Sequence, residues 1–458
     1  MRARNLAGVV AIVLMAAACG NASTSSSPST TAPAGGGSAV TEATGDALKQ
    51  NVPVSAQGVT NTSINVAVIT ARSNILQGKY GDFANGVKAY FNYINNGGGI
   101  YGRQLKVTSD RDDGMLQDEQ TVKQSLASDK AFATFVATPL FSGAVDIASQ
   151  PTMPTFIWNI NPEMAGHLNI FGTTGALCFN CISQGGPFLA QQYKFTKVAV
   201  LAYGTTASSK QCADATKASF QKYPSAQVVF FDNELQFAQA DLSADVGQIK
   251  AKGAQLIFTC IDQKESIVLG KELVKEQVNA VQVLPNAYDQ QFVAQNAQYL
   301  EGAFATPQFV PFEYLPLLPE EQTMMTWLQK GGFQVNELSS NGWIAANEFV
   351  TGLKLAGPNF SQQKVIDSLN RDTHYDANGM IVPIDWTIQH NDPRGPGGTH
   401  IPKYSSQYDC AATVRVQNGK FVPIPTVPST KPWVCMTGGP NAPTLTTTPE
   451  YMSFAPTS

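Results

Sequence analysis

At 458 residues the chain is long enough for two or three domains with sizeable cores, and its 43% hydrophobic residues can fill them. Only 14% of residues are charged, a low fraction for a cytosolic protein. The 30 basic and 34 acidic residues leave a net charge of -4, and there is no Lys/Arg cluster or basic helix face, so nothing points to nucleic acid as a partner.

Arg2 and Arg4 precede an apolar run, Leu6 to Ala18, that is too short for a permanent membrane span and reads as a signal peptide over residues 1–18. The run ends Ala16-Ala17-Ala18-Cys19-Gly20, which resembles a bacterial lipoprotein processing site with Cys19 as the acylated residue. Ala16 stands where that pattern usually has Leu, and ordinary secretion with cleavage after Ala18 is the alternative. Residues 19–60 are expected to form the lipidated cysteine and a flexible linker, Ser/Thr/Ala/Gly/Pro-rich to about Thr44. A single acyl chain anchors only marginally, so stable attachment to the outer face of the cytoplasmic membrane needs more than one.

The stretch Ile64 to Asp113 organises the folded body. Ile64 to Ile69 is a β-branched run that predicts a strand, and Thr70 to Gly81 a loop. Phe83, Val87, Ala89, Tyr90, Phe91 and Ile94 recur at helical spacing until Asn95-Asn96-Gly97-Gly98-Gly99 stops the helix. Gln104 to Ser109 is the next strand, ending in Asp110-Arg111-Asp112-Asp113. This β-loop-α-β order opens a doubly wound domain, whose ligands bind beyond the C-terminal ends of the strands. The Tyr80-Gly81 pair, the turn Asn95 to Leu105 with Gly98-Gly99-Ile100-Tyr101-Gly102, and the acidic pair after strand two resemble the periplasmic binding proteins of the Leu/Ile/Val type. The resemblance implies an α/β fold of two Rossmann-like lobes, with parallel central sheets, joined by a three-strand hinge.

Further strands and helices alternate along the chain. In the first lobe these are the helix Gln117–Leu126, the strand from Phe132 to Val136, the helix Ser142–Ala148 and the strand Pro154–Trp158. Asn169 to Gly172 leads to a second block, in which strands at Lys197–Leu201, Val228–Phe231, Leu256–Thr259 and Ala280–Leu284 are separated by helices. Leu300–Gln308 resembles the crossover back to lobe one, and Gly379 begins a stretch resembling a third. Lobe 1 is thus expected to span 61–172 and 307–378. Lobe 2 with a C-terminal extension takes 173–306 and 379–440, and 441–458 is a disordered tail. The extension holds a hairpin, Ala411–Val416 and Phe421–Ile424, turning at Asn418-Gly419.

Without Cys19, six of the seven cysteines remain, and an even number in an exported chain reads as disulfides. Cys410 with Cys435 is the simplest pair. Cys212 and Cys260 fall at corresponding ends of neighbouring α/β units, leaving Cys178 with Cys181. That C-x-x-C also admits a redox reading, which needs a strand-to-helix setting, and a zinc reading, for which a matching second pair is absent.

The resemblance places ligand-binding residues at Tyr80, Thr138, Ser142, Asn159, Ile160 and Asn161 in lobe 1, and at Ala207, Asp262, Asn286 and Tyr288 in lobe 2. Helix capping is the plainer role for Thr138 and Ser142. Trp158 reads either as core or as a stacking wall. Amino-acid binders of the family hold the ammonium with a glutamate where Asn286 stands here, so leucine, isoleucine and valine are expected to bind poorly; Asp262 or Asp289 could take an ammonium instead. No H-E-x-x-H, G-x-S-x-G or G-x-G-x-x-G pattern occurs, so neither an enzyme nor a cofactor is expected. Asp110, Asp112 and Asp113, or His390 with His400 and Asp392, form only weak candidate metal groups. The expected function is that of a monomeric extracytoplasmic solute-binding protein. It would bind a small polar solute (amino acid, amide or carboxylate) and hand it to the permease of an ABC-type transporter. A ligand-sensing or cell-envelope lipoprotein of the same fold is the alternative.

Overall fold

The computed structural model describes residues 41–139, 143, 146–147, 149–158, 166–173, 182–388, 390, 408–439 and 442–455. The first lobe is built on β1 (Ser63–Thr70), whose seven buried residues of eight leave no solvent face. That pattern arises when helices cover both sides of a parallel sheet. After α1 (Asp82–Asn96) come β2 (Gln104–Asp112), α2 (Asp118–Ser128), β3 (Ala133–Ala137), β4 (Thr155–Ile157) and β5 (Ile170–Gly172). The strands lie in the order β2-β1-β3-β4-β5, all parallel. Gly98 and Gly99 end the turn after α1 with φ of 104° and 81°. At Gly99 a side chain would also strike the Arg103 carbonyl oxygen.

The second lobe begins with α3 (Gly185–Gln192) and β6 (Lys197–Tyr203). It continues through α4 (Ala207–Lys222), β7 (Gln227–Leu235), α5 (Ser243–Lys252), β8 (Leu256–Cys260), α6 (Gln263–Lys275) and β9 (Val281–Leu284). Two short helices absent from the sequence reading, α7 (Gln290–Gln295) and α8 (Ala297–Leu300), precede β10 (Phe304–Ala305). The chain then returns to lobe 1 as α9 (Pro319–Lys330), α10 (Glu337–Ala356) and α11 (Gln362–Leu369). From Glu337 to Leu353 every residue of α10 is buried, and it crosses α1 at close range.

Beyond lobe 1 come β11 (Tyr408–Ala411), β12 (Val414–Gln417), β13 (Lys420–Pro423), β14 (Trp433–Thr437) and β15 (Glu450–Met452). The hairpin β12-β13 turns through Asn418 and Gly419, both at positive φ, as a two-residue turn requires. It pairs antiparallel with β10, so the lobe-2 sheet, β13-β12-β10-β9-β8-β6-β7, is mixed and not purely parallel as expected. The strands β11-β14-β15 make a small antiparallel sheet.

Several boundaries move. β2 continues to Asp112 because it stays paired with β1 as far as Thr70. Residues 41–60, expected in the linker, pack on lobe 1: the buried Arg103 donates through Nε to Thr60 O (2.8 Å) and through Nη2 to Val52 O (2.7 Å). The expected crossover at Leu300–Gln308 is a helix end, a two-residue strand and irregular chain. Residues 379–388 form turns with one isolated bridge, Tyr375 to Ile384, and no strand, because Trp386 is held against Phe171 of β5, their rings 5.1 Å apart. The expected disordered tail contains β15, which pairs with β14, and Phe454 lies against Trp433.

Two disulfides form as expected, Cys212–Cys260 and Cys410–Cys435. Cys178, Cys181 and Cys19 lie outside the described residues.

Candidate ligand-binding site

In a parallel α/β sheet, the loops after the strands gather on one edge. Lobe 1 presents the loop after β1, the turn after β2, Thr138 after β3 and Trp158 after β4. Lobe 2 presents the residues after β6, β8 and β9. The two edges meet. Tyr80, buried in the loop before α1, donates its hydroxyl proton to Asp262 Oδ1 across the cleft at 2.8 Å. Lys264 Nζ reaches Ile75 O at 3.5 Å. Tyr288 N donates to Glu337 Oε2 (3.1 Å), and Glu337 N donates to Tyr288 O (2.9 Å).

Asp262 is the N-cap of α6 and caps with its backbone, leaving the side chain for Tyr80. Its amide donates to Tyr203 Oη at 3.0 Å, and Tyr203 in turn donates to Glu265 Oε2 at 2.6 Å. Burial raises the Asp262 carboxyl to about 6; the Tyr80 hydrogen bond opposes this and the nearby Glu265 adds to it. Burial likewise lifts Glu337 to about 7 against the bond from Tyr288 N.

The expected site residues separate into groups. Tyr80 and Asp262 are brought into contact. Thr138 follows β3 and hydrogen-bonds the carboxyl of Asp113, a buried residue after β2 that also accepts from Met115 N at 2.8 Å and shares a hydrogen bond with Asp118. Asn286 follows β9 at φ 48°, and its carbonyl accepts from Gln263 Nε2 at 2.9 Å. Ala207 is the first residue of α4. Tyr288 is buried among Phe309, Phe312 and Phe421; its hydroxyl donates to Glu313 Oε2 (2.6 Å) and accepts from Phe312 N (2.7 Å). Ser142, Asn159, Ile160 and Asn161 lie outside the described residues. Asp289, considered for an ammonium, instead caps α7 by accepting from Gln291 N and Phe292 N.

Of the residues weighed for metal, Asp110 pairs with Arg72 and Lys88, and Asp112 accepts from Ser73 N and Gly114 N. His390 is buried against Phe171 and Trp386. Tyr203, Glu265, Glu313 and Glu337 hydrogen-bond with Asp262 or Tyr288 or with each other and were not singled out from sequence. Tyr203 ends an apolar strand run and Glu265 stands one turn after Asp262, which are the signals available for them.

Two α/β lobes with apposed strand-end loops define a two-lobed binding protein. Residues 63–400 match the family described as periplasmic binding protein, and the chain belongs to that family. Membership makes it an extracytoplasmic solute-binding protein and not an enzyme. Solved structures share the fold at low identity. A fatty acid ABC transporter substrate-binding protein from Thermomonospora curvata is 16% identical at a TM-score of 0.65, over 83% of this chain and 94% of that one. A branched-chain amino acid transporter substrate-binding protein from Streptococcus pneumoniae, in complex with isoleucine, is 14% identical at 0.63, over 79% and 98%. A solute-binding protein from R. palustris in complex with benzoate is 15% identical at 0.62, over 79% and 95%. No curated protein matches the chain.

Proposed function

We propose that the protein traps a small polar solute between its lobes and delivers it to the membrane permease of an ABC-type transporter. The observation that carries this is the Tyr80–Asp262 hydrogen bond, which joins the strand-end edges of the two lobes at the place a ligand of this fold would occupy. Tyr80, Thr138, Ser142, Asn159, Ile160 and Asn161 would contact the solute from lobe 1, and Ala207, Asp262, Asn286 and Tyr288 from lobe 2. The solutes named for similar structures are an amino acid, an aromatic carboxylate and a fatty acid, so the fold alone does not select among them.

Thermal-shift screening against amino acids, amides, short carboxylates, urea-like compounds and sugars tests the reading. A ligand should raise the melting temperature by mass action, and Asp262→Ala should weaken it. Leucine, isoleucine and valine are expected to give no shift, because Asn286 cannot supply the charge of a glutamate; micromolar leucine binding would refute this. Acylation of Cys19 would keep the binder beside its permease as a monomeric lipoprotein. Cys19→Ser should then release it from the membrane fraction, and a variant as membrane-bound as the parent would rule the anchor out.

A further inference from the structure

We infer that the solute is a small organic cation, an amine or guanidinium, with a hydrogen-bond acceptor beside its charge. This rests on the solute-binding reading and narrows it. Among the described residues near the contact between the lobes, three tyrosine hydroxyls direct their protons to the protein's own carboxylates. Tyr80 donates to Asp262, Tyr203 to Glu265 and Tyr288 to Glu313, while Tyr203 and Tyr288 also accept backbone amides. Each of these hydroxyls has one proton to give, so what they offer a ligand is acceptor capacity.

Among the described residues these carboxylates form no ion pair: no Lys, Arg or His lies within 4.0 Å of the carboxylates of Asp262, Glu265, Glu313 or Glu337, although Asp110 in lobe 1 has two such partners. Lys264, whose charge acts on Glu265 from beyond ion-pair distance, turns its Nζ to Ile75 O. A buried carboxylate without a countercharge is costly, and a bound cation removes that cost while the lobes are shut. An anionic solute would add to it.

Trp158 is a separate observation. It is 8% exposed, its ring lies 5.6 Å from that of Tyr80, and its Nε1–H has no partner among the described residues. An indole beside the Tyr80–Asp262 contact offers a cation–π face. Its unpartnered donor asks for one acceptor on the ligand, as an amino alcohol or a carbonyl-bearing amine supplies.

The test is calorimetry on the intact chain at pH 7.5 with ethanolamine, putrescine and agmatine as cations, acetamide and urea as neutral probes, and acetate and benzoate as anions. At least one cation should bind, about 30-fold or more tighter than every neutral or anionic probe, a difference of about 2 kcal/mol. Asp262→Asn should reduce that affinity by a similar factor. If that variant does not fold, the parent is measured against pH. Asp262 faces Tyr80 of lobe 1, Tyr203 of β6 and Glu265 of its own helix, with Glu337 behind Tyr80 and Lys264 adjacent in sequence. Its protonation near 6 should weaken cation binding about tenfold per pH unit below that value. A neutral or anionic probe that binds as well as the best cation, a cation that binds the Asn variant undiminished, or an affinity flat from pH 7.5 to 5 overturns the charge assignment and leaves solute binding standing. If no probe of any charge binds and the wider thermal-shift screen is also silent, both readings fall.

Discussion

Asp129 and Glu321 show how the same side-chain chemistry acts in opposite directions. Burial pushes the Asp129 carboxyl up, but hydrogen bonds from Arg111, Ser109 and Ser125 outweigh it and hold it at about 2. The folded value is below the ordinary one, so its stabilisation is complete above about pH 4 and is lost as pH falls toward 2. Asp129→Asn should cost about 1–3 kcal/mol in urea unfolding at pH 7, with the loss shrinking in acid. Glu321 has the reverse sign. It is fully buried in the first turn of α9, and burial lifts it to about 8, opposed by the bond from Leu318 N at 2.7 Å. Its protonated form suits the fold, so its contribution is present below the unfolded value of 4.5 and declines as pH rises to about 8. Glu321→Gln should flatten the stability profile between pH 5 and 8 and exceed the parent at pH 9; a parallel profile would show that another group titrates there.

Between elements, the contact that holds lobe 1 together is the crossing of α1 and α10. Gly86 faces the backbone of Ser339, Gly342 and Trp343, and Gly342 faces Phe83; a methyl at either would penetrate the opposing carbonyl oxygen. The helices can approach this closely only because both positions lack a side chain. Gly342→Ala should therefore cost about 1–3 kcal/mol, and more if neither helix can shift. Gly247 in α5 has open space around its missing Cβ. Gly247→Ala should stabilise by up to about 1 kcal/mol, since alanine is the better helix former. Opposite signs in matched urea titrations would separate helix propensity from packing.

At the scale of the whole molecule, the polar contacts across the cleft include Tyr80–Asp262, Lys264–Ile75 and the paired bonds between Tyr288 and Glu337. Polar contacts of this kind can break and re-form as two lobes hinge. Tyr80→Phe removes the first without changing the ring. In small-angle scattering the variant is expected to show a larger radius of gyration than the parent without ligand, and an unchanged radius would mean that the contact does not hold the lobes together. A ligand at 100 times its Kd should stabilise the closed molecule by about 2.7 kcal/mol.

Local pattern was enough for much of the fold. β-branched runs, helical spacing and glycine stops were legible for β1 and α1, since they depend on neighbours within one turn or one strand. The hairpin was legible for the same reason: Asn418-Gly419 can adopt the positive φ its turn needs. Tertiary contact decided what has no local signature. Arg103 draws the stretch holding Val52 and Thr60 onto lobe 1, although no helix or strand pattern marks it as part of the folded body. β10 accepts β12 at its open edge, which makes the lobe-2 sheet mixed. In the cleft, residue types at strand ends were visible, but Asp262 and Tyr80 stand 182 positions apart. Which hydroxyl gives its proton to which carboxylate, and so what charge the cleft can accept, depends on ångström distances that only the closed arrangement of two lobes brings about.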